Sequence, residues 1–347
     1  MRWPGQRGMS VTIKDVARAA GVSVASVSRA LNGHENVTGE TRRRVQDAAE
    51  RLRYMPNGAA RSLITQRTQT IGAVLPDLHG EFFSELIRGM DAAARARGLH
   101  LLVSSSHGSA SEVGDVLRTL RGRVDGVLIM SPHADADMLT ANLPAALPTV
   151  LMNTRVPGGK YLSLSIDNYG GAFTMTRHLV RHGYRRIAFI GGPANNFDAD
   201  ERLRGYRDAL TKLLPKHRAM ILRGDFSEES GYRAGLALRD VAERPDAIFA
   251  ANDMMAIGCL FGLHELGLKV PDDIALAGFD DIPIARFVSP PLTTMRVRIA
   301  DMGSQALQRL CAAIDGSTQP RLAHEIGCSL VIRQSSGTHA EADSDTS

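Results

Sequence analysis

Polar side chains follow several apolar, β-rich runs of this sequence at the point where each run ends. A carboxylate, carboxamide and guanidinium set of this kind supplies planar donors and acceptors that suit a ligand with many hydroxyl groups. Aromatic side chains near the same runs could cover the apolar face of a sugar ring. The polar candidates are Asp77, Asn153, Arg202, Asn252, Asp253, Asp280 and Asp281, and the aromatic ones are Phe82, Phe83 and Phe226.

Two other interpretations of these residues stay open. An Asp or Asn at a strand end can simply cap the following helix. Asp253, Asp280 and Asp281 in a cleft could also do acid–base chemistry. However, no His or nucleophile stands in a recognisable arrangement with them, and no P-loop, HExxH, GxSxG or strand-linked GxGxxG motif occurs. The sequence therefore predicts a binding site rather than an enzyme, with no cofactor and no metal.

The body of the chain alternates apolar runs with helical segments. This alternation is typical of parallel, doubly wound α/β sheets, and the number of runs favours two such subdomains with a cleft between them over residues 69–335. Ligands of open α/β sheets bind beyond the carboxyl ends of the strands, where the polar residues stand. The nine predicted strands lie in TIGAVLPD, HLLVSSS, VDGVLIMS, TVLMN, LSLSIDN, RIAFIGGP, AMILRGD, AIFAAND and IALAGFDD.

Residues 10–55 have a different pattern, which predicts three short helices. Thr12 caps the first with Asp15 three residues on, Ser23 caps the second and Thr38 the third. Gly21 permits a tight turn between the first two helices, as in a helix-turn-helix domain, whose second helix enters the DNA major groove. A small protein–protein module is the alternative. The outer face of the second helix carries short polar residues that suit base edges and phosphates better.

Charge supports the DNA-binding interpretation. Residues 1–67 hold twelve Lys and Arg against five Asp and Glu, so that this head carries +7 in a chain whose net charge is +4. A basic head on a slightly acidic body points to a polyanionic partner. The alternative is a solvated basic face.

The head and body together resemble the LacI/GalR family of bacterial transcriptional regulators. The resemblance rests on TIKDVARAAGVSVASVSRALNG followed by VTGETRRRVQDAAERLRYMPN, and extends over roughly Thr70 to Gln334. In that family the two positions after the turn Ser chiefly set operator sequence; here they are Val24 and Ala25, as in galactose-repressor-like members. The DNA-contacting positions implied by the resemblance are Thr12, Ser23, Val24, Ala25, Ser26, Ser28, Arg29, Asn32, Asn57, Ala60 and Leu63.

The segment from Pro56 to Thr68 is expected to be a hinge. A helix of about eight residues is marginal alone, because nucleation is costly. In the family, paired hinge helices insert a Leu between base steps in the minor groove, and Leu63 matches that position. A simple flexible linker is the alternative.

The resemblance also assigns an effector site in a core similar to periplasmic sugar-binding proteins. Arg202, Asn252 and Asp280 match the family's effector-binding Arg, Asn and Asp. Asn196 stands where the purine repressor carries a specificity Arg, which disfavours a purine corepressor. A sugar or sugar derivative is the expected effector. Asp77 from the strand-end rule, Phe83 as an apolar face and Asp198, which is near Asn196 and could accept a sugar hydroxyl, complete the expected site. The expected effector-binding residues are Asp77, Phe83, Asn153, Asn196, Asp198, Arg202, Phe226, Asn252 and Asp280.

The expected protein is thus a cytoplasmic repressor that binds double-stranded operator DNA as a homodimer and responds to a small molecule. The N-terminus lacks the apolar stretch of a secretory signal, and no run is long enough to span a membrane. The tail, residues 336–347, is polar, is expected to be disordered, and lacks the Leu heptads of a tetramer. The family motif starts near Met9, which we expect to be the true start. A corepressor-dependent regulator and a sugar-transport protein are the alternatives.

Overall fold

The computed structural model describes residues 11–31, 36–54, 67–132, 136–144, 146–154, 156, 161–317 and 323–337. The chain divides into two compact units between Thr68 and Gln69. None of the helices in the described part is long and apolar enough to cross a membrane.

Within its described residues, the first unit contains the three helices that the sequence predicts. Thr12 and Asp15 form the expected capping box, in which the Thr12 backbone N–H donates to Asp15 Oδ2 over 3.0 Å. Gly21 has a left-handed φ of 64°, which lets the chain turn sharply into the second helix. Val16, Val27 and other apolar side chains of all three helices form one small core. The helices are α1 Ile13–Ala20, α2 Val24–Leu31 and α3 Gly39–Arg51.

The second unit is built on two six-stranded sheets, which confirms the predicted α/β class. Its helices are α4 Glu81–Arg95, α5 Ala110–Leu120, α6 Ala136–Asn142, α7 Asn168–Arg181, α8 Phe197–Leu213, α9 Glu228–Leu236, α10 Asp253–Glu265 and α11 Ile299–Ile314. Its strands are β1 Thr70–Leu75, β2 His100–Ser105, β3 Gly126–Met130, β4 Thr149–Met152, β5 Leu162–Ile166, β6 Ile187–Ile190, β7 Met220–Leu222, β8 Ala247–Ala250, β9 Ala275–Asp280, β10 Thr293–Arg296, β11 Ala323–Ile326 and β12 Ser329–Val331.

The strand order shows which strands belong to each sheet. The first sheet has the order β11-β5-β4-β3-β1-β2, and the second has the order β12-β10-β9-β8-β6-β7. The chain therefore passes between the sheets three times: after β5, after β10, and between β11 and β12. All strand pairs are parallel except β10 with β12. The carboxyl ends of the parallel strands of each sheet consequently meet at one edge.

The central strands of both sheets are buried, as expected for parallel strands covered by helices on both faces. The packed body extends through Ser336, which is buried and whose Oγ lies 2.8 Å from Thr293 Oγ1. Most of the predicted tail, residues 338–347, lies outside the described residues.

Candidate functional site

A cavity of about 520 Å³ lies at the carboxyl ends of strands from both sheets. This volume is within the range of sites that enclose a small ligand, roughly 300–1,000 Å³. The structure brings all nine residues of the predicted effector set together here. Its lining includes Asp77, Phe83, Asn153, Asn196, Asp198, Arg202, Phe226, Asn252 and Asp280.

Arg202 is the centre of the buried end of the cavity. It projects from α8 and is only 3% exposed. Its Nε donates to Asn168 Oδ1 over 2.7 Å, and its Nη1 donates to the Ala251 carbonyl over 2.5 Å. Its Nη2 lies 3.1 Å from Asp280 Oδ1. The guanidinium plane is therefore fixed by three partners before any ligand arrives.

Aromatic rings cover the same guanidinium. The Arg202 carbon Cζ lies 3.8 Å from the centroid of the Phe279 ring and 5.9 Å from that of Phe226. Phe82 and Phe83 form an edge-to-face pair with centroids 5.5 Å apart, and both line the cavity. These rings give the site apolar surfaces beside its polar groups.

Two carboxylates share the charge of Arg202. Burial raises the pKa of Asp280 to about 6, although Arg202 opposes the shift. Burial likewise raises the pKa of Asp198 to about 6, against the effects of Arg202, Asn168 and Asn153. Asp198 Oδ1 accepts a hydrogen bond of 2.7 Å from Asn168 Nδ2. Asp280 Oδ1 is buried and has no hydrogen bond of acceptable geometry within the described residues, so it can accept one from a ligand.

Left-handed backbone conformations cluster around the cavity. His107, Asn153, Phe226 and Asp280 all line it, with φ angles of 46°, 43°, 73° and 114°. Such conformations cost non-glycine residues roughly 1–3 kcal/mol each and are found preferentially at ligand sites. The fold therefore holds these side chains in orientations that ordinary strand or helix geometry would not give.

Several of the predicted residues also form hydrogen bonds with backbone groups of the protein. Asn252 caps α10, because its Oδ1 accepts from the Met255 N–H over 2.9 Å, and its Nδ2 donates to the Phe226 carbonyl. Asn196 caps α8 in the same way through the Ala199 N–H, at 3.1 Å. Asn196 and Asn252 therefore each cap a helix and also line the cavity.

The strand-end rule was wrong for two of the residues it selected. Asp253 is fully buried beneath the sheet, where its oxygens accept from Thr294 Oγ1 at 2.6 Å and the Ile282 N–H at 3.0 Å. Asp281 instead pairs with Arg296 and Arg333, both at 2.6 Å. Neither is part of the cavity lining. Asp253 is the first residue of α10 and Asp281 has a left-handed φ of 55°, so the chain changes direction at both positions and only Asn252 and Asp280 face the cleft.

Sequence reasoning missed other residues of the site. Asn168 lies behind Arg202 and Asp198, and the strand-end rule would have found it in LSLSIDN. His79, His107, Asp225 and Glu228 also line the cavity. His107 directly follows HLLVSSS and Asp225 ends AMILRGD, so the strand-end rule could have found both, whereas no strand pattern marks His79 or Glu228.

In the first unit, α2 presents the predicted recognition residues to different degrees. Ser23, Val24, Ala25 and Arg29 are exposed, and the Val24 exposure is 41%. Ser26 and Ser28 are half-buried rather than fully outside, and Ser26 Oγ lies 2.9 Å from Ser23 Oγ. The Ser26 N–H donates to Ser23 Oγ over 3.1 Å, so Ser23 caps the helix as predicted.

Arg44 has a structural role in the head. Its Nη2 donates over 2.6 Å to the Ala20 carbonyl at the carboxyl end of α1. The predicted DNA-contacting residues Asn32, Asn57, Ala60 and Leu63 lie outside the described residues, as does the hinge from Pro56 to Gln66.

A helix-turn-helix unit joined to a two-sheet unit with a polar, aromatic-lined cavity defines a ligand-responsive regulator of transcription. Comparison with known proteins agrees. Residues 12–57 match the family of bacterial regulatory proteins of lacI type, and residues 176–336 match a periplasmic binding protein-like domain.

Individual relatives cover nearly the whole chain. Catabolite control protein A of Priestia megaterium is 33% identical over 330 residues, which are 94% of this chain and 99% of that protein. The regulator GalR of Escherichia coli is 34% identical over 332 residues, 94% of this chain and 96% of its own. A solved lac repressor dimer bound to operator and an anti-inducer has a TM-score of 0.84 at 27% identity, covering 94% and 99% of the chains. The chain belongs to the LacI family, and it is a DNA-binding transcriptional regulator rather than an enzyme.

Proposed function

We propose that this protein binds a palindromic operator as a homodimer in the cytoplasm and is released from it when a small sugar or sugar derivative occupies the cavity. The observation that carries the proposal is the convergence of nine polar and aromatic side chains on one cavity, in a chain whose other unit is a helix-turn-helix.

The DNA half of the proposal rests on α2. Val24, Ala25 and Arg29 are exposed at and beyond its first turn and are assigned to base edges. Ser23, Ser26, Ser28 and Thr12 are assigned to the backbone, where short hydroxyls reach phosphates. A dimer places two such helices on two half-sites, which two-fold symmetry requires to form a palindrome. The structural relative with operator bound is itself a dimer.

The domain division belongs to the same proposal. Residues 10–55 form the head and 56–68 the hinge, with Asn57, Ala60 and Leu63 on the minor groove. Residues from 69 form the effector-binding and dimerisation body. Because Ser336 is packed in the body, we extend this body to Ser336.

The effector half rests on the cavity. Asp198 and Asp280 accept hydrogen bonds from the hydroxyl groups of the ligand, and the unused N–H groups of Arg202 donate hydrogen bonds to hydroxyl oxygens of the ligand. The rings of Phe83 and Phe226 cover the apolar faces of the ligand. Asn153, Asn196 and Asn252 complete the polar wall, and Asp77 lies at its rim. A relative of known structure, 32% identical with a TM-score of 0.70, is a complex of the regulator CelR with cellobiose.

Two contacts join opposite sides of the cleft in this body. His79 Nε2 lies 3.7 Å from Glu228 Oε1, and Glu81 Oε2 accepts from the Ile284 N–H over 2.9 Å. A ligand that changes the separation of the two subdomains must alter such contacts. Coupling of this change to the DNA is reciprocal, so an inducer weakens operator binding by the factor by which operator weakens inducer binding.

The DNA half is tested by titrating a fluorescent palindromic operator of galactose-repressor type and a scrambled duplex with the full chain. We expect tighter binding to the operator, and an affinity that falls steeply with salt because released counterions drive phosphate contacts. Arg29→Ala should reduce the preference for operator, whereas Arg88→Ala, which removes a 64% exposed side chain of α4, should not. Equal affinity for both duplexes would contradict the proposal.

A further inference from the structure

The cavity is rich in negative charge. Its described lining holds five carboxylates, one guanidinium, that of Arg202, and no lysine. Outside the lining, the exposed Arg233 Nη2 lies 3.8 Å from Asp225 Oδ2, so four of the five carboxylates are left to Arg202 and the histidines. The carboxylates belong to Asp77, Asp198, Asp225, Glu228 and Asp280.

The charge of Arg202 is already matched inside the protein. Its Nη2 lies 3.1 Å from Asp280 Oδ1, and the Asp198 carboxyl is close enough to interact with it electrostatically. Nε and Nη1 donate to Asn168 and to the Ala251 carbonyl. Its remaining N–H groups can donate to a hydroxyl, but no uncompensated positive charge is left for a phosphate.

Histidine does not reverse this balance. His79 lies 3.7 Å from Glu228, and His107 Nδ1 lies 2.6 Å from Glu112 Oε2. Each imidazole thus has its own carboxylate partner at the exposed rim. At the buried end, Asp280 Oδ1 is ion-paired with Arg202 Nη2 but makes no hydrogen bond of acceptable geometry among the described residues, so it can accept one from a ligand donor.

We propose that the effector is an uncharged or cationic polyhydroxylated molecule, and that this cavity excludes phosphorylated and carboxylated sugars. The inference rests on the proposed function, since it takes the cavity to be the effector site. Carboxylates accept hydrogen bonds from both hydroxyl and ammonium donors, but they repel an anion. The phosphate or uronic acid form of an effector should therefore bind at least about tenfold more weakly than the neutral form.

The sign of the electrostatic potential in the cavity can be measured by fluorescence quenching before any effector is known. The single tryptophan, Trp3, is replaced by Phe, and Phe83→Trp then places one fluorophore in the cavity wall. Phe261→Trp is the matched control, because Phe261 lies on α10 outside the lining and is 63% exposed. The quenching constants of caesium and of iodide are each divided by that of neutral acrylamide, which corrects for the solvent accessibility of the tryptophan. Phe82→Trp repeats the measurement if Phe83→Trp does not bind operator.

We expect the caesium-to-iodide ratio of the cavity tryptophan to exceed that of the surface control by at least about threefold, since a negative cleft concentrates cations. Asp225→Asn with Glu228→Gln should lower the ratio. A caesium-to-iodide ratio of the cavity tryptophan equal to or below that of the surface control would overturn the inference. The inference would also fail if glucose 6-phosphate or galactose 6-phosphate released operator at a lower concentration than the parent sugar. Failure of the proposed function is distinct from both results, because it would appear as a lack of operator preference, whatever the quenching ratio.

Discussion

At the scale of single residues, the chemistry of the cavity depends on a shared balance between Arg202 and two carboxyls. Arg202 is held by Asn168, Ala251 and Asp280 and stacks on Phe279. Removing it would leave buried carboxylates unpaired, which typically costs about 3–5 kcal/mol. The same arrangement fixes which donors and acceptors a ligand meets, so this cluster serves both stability and recognition.

The pKa of Asp198 gives a prediction for stability against pH. Its folded pKa of about 6 lies above the model-compound value of 3.8, so the folded state binds more protons than the unfolded state between these values. The contribution of Asp198 to stability is therefore fully present below about pH 4 and is lost as pH rises through about 6. Asp198→Asn should raise the melting temperature at pH 7.5 by roughly 1–3 °C and flatten the slope between pH 4 and 6.

Asp208→Asn is the control for that measurement, because Asp208 lies on the same helix with a 51% exposed side chain. The melting temperatures of the wild type and both variants, measured without ligand at five or six pH values, test this prediction. A variant Asp198→Asn with an unchanged slope and a lower melting temperature at pH 7.5 would contradict it.

Much of the site could be predicted, because the residues that face the cleft stand at strand ends and in family motifs. Every one of the nine predicted effector residues lines the cavity. The strand-end rule alone could not separate Asp280 from Asp253, since both stand at the ends of buried strands, whereas the family motif selected Asp280. The structure shows that Asp253 accepts a hydrogen bond from Thr294 instead of facing the cavity. His79 and Glu228 were missed because loops and helix starts converge only in the folded chain.

At the scale of elements, the nine runs predicted as strands are all strands. Six of them are almost wholly buried and have the near-continuous apolar composition of parallel strands covered on both faces, whereas β2, β5 and β7 are only partly buried. The sequence analysis missed β10, β11 and β12. Their sequences, TTMR, AHEI and SLV, are short, and none is an apolar run. β11 and β12 are edge strands, which depend on pairing with neighbours that sequence alone does not reveal.

Helix packing gives the prediction at this scale. Helices α9 and α10 approach so closely that a Cβ added at Gly258 would lie 1.9 Å from the Glu228 carbonyl oxygen. Gly258→Ala must therefore separate the helices, and we expect a loss of several kcal/mol of unfolding free energy, as overpacked sites with backbone neighbours show. Since Glu228 lines the cavity, ligand response should also suffer.

Gly114→Ala is the matched control on α5. A Cβ there would meet only the far ends of the Asn142 and Arg118 side chains, at 3.0 and 3.2 Å. The higher helix propensity of Ala should leave its stability equal to or slightly above that of the wild type. Urea denaturation of both variants checks the argument, which fails if Gly258→Ala is as stable as Gly114→Ala.

At the scale of the whole molecule, we propose that a hinge over residues 56–68 couples the DNA-binding head to the ligand-binding body. The division of charge, basic in the first 67 residues and slightly acidic afterwards, already separates these tasks. The fold of each unit follows from its own residues, but the coupling between ligand binding and DNA binding is a property of the assembled dimer. Typical coupling of about 1–3 kcal/mol would change operator affinity roughly 5- to 150-fold.

The most direct test of this central claim is operator anisotropy with and without a panel of neutral sugars and glycosides, on the wild type, Arg202→Ala and Arg204→Ala. Arg204 is the matched control, since it is on the same helix and half-exposed in a surface pair with Glu201. Melting curves confirm that each variant is folded. The account predicts that a sugar weakens operator binding of the wild type and Arg204→Ala at least about fivefold and leaves folded Arg202→Ala bound. Equal release of all three proteins, or a sugar that stabilises the body thermally while leaving wild-type operator affinity unchanged, would contradict it.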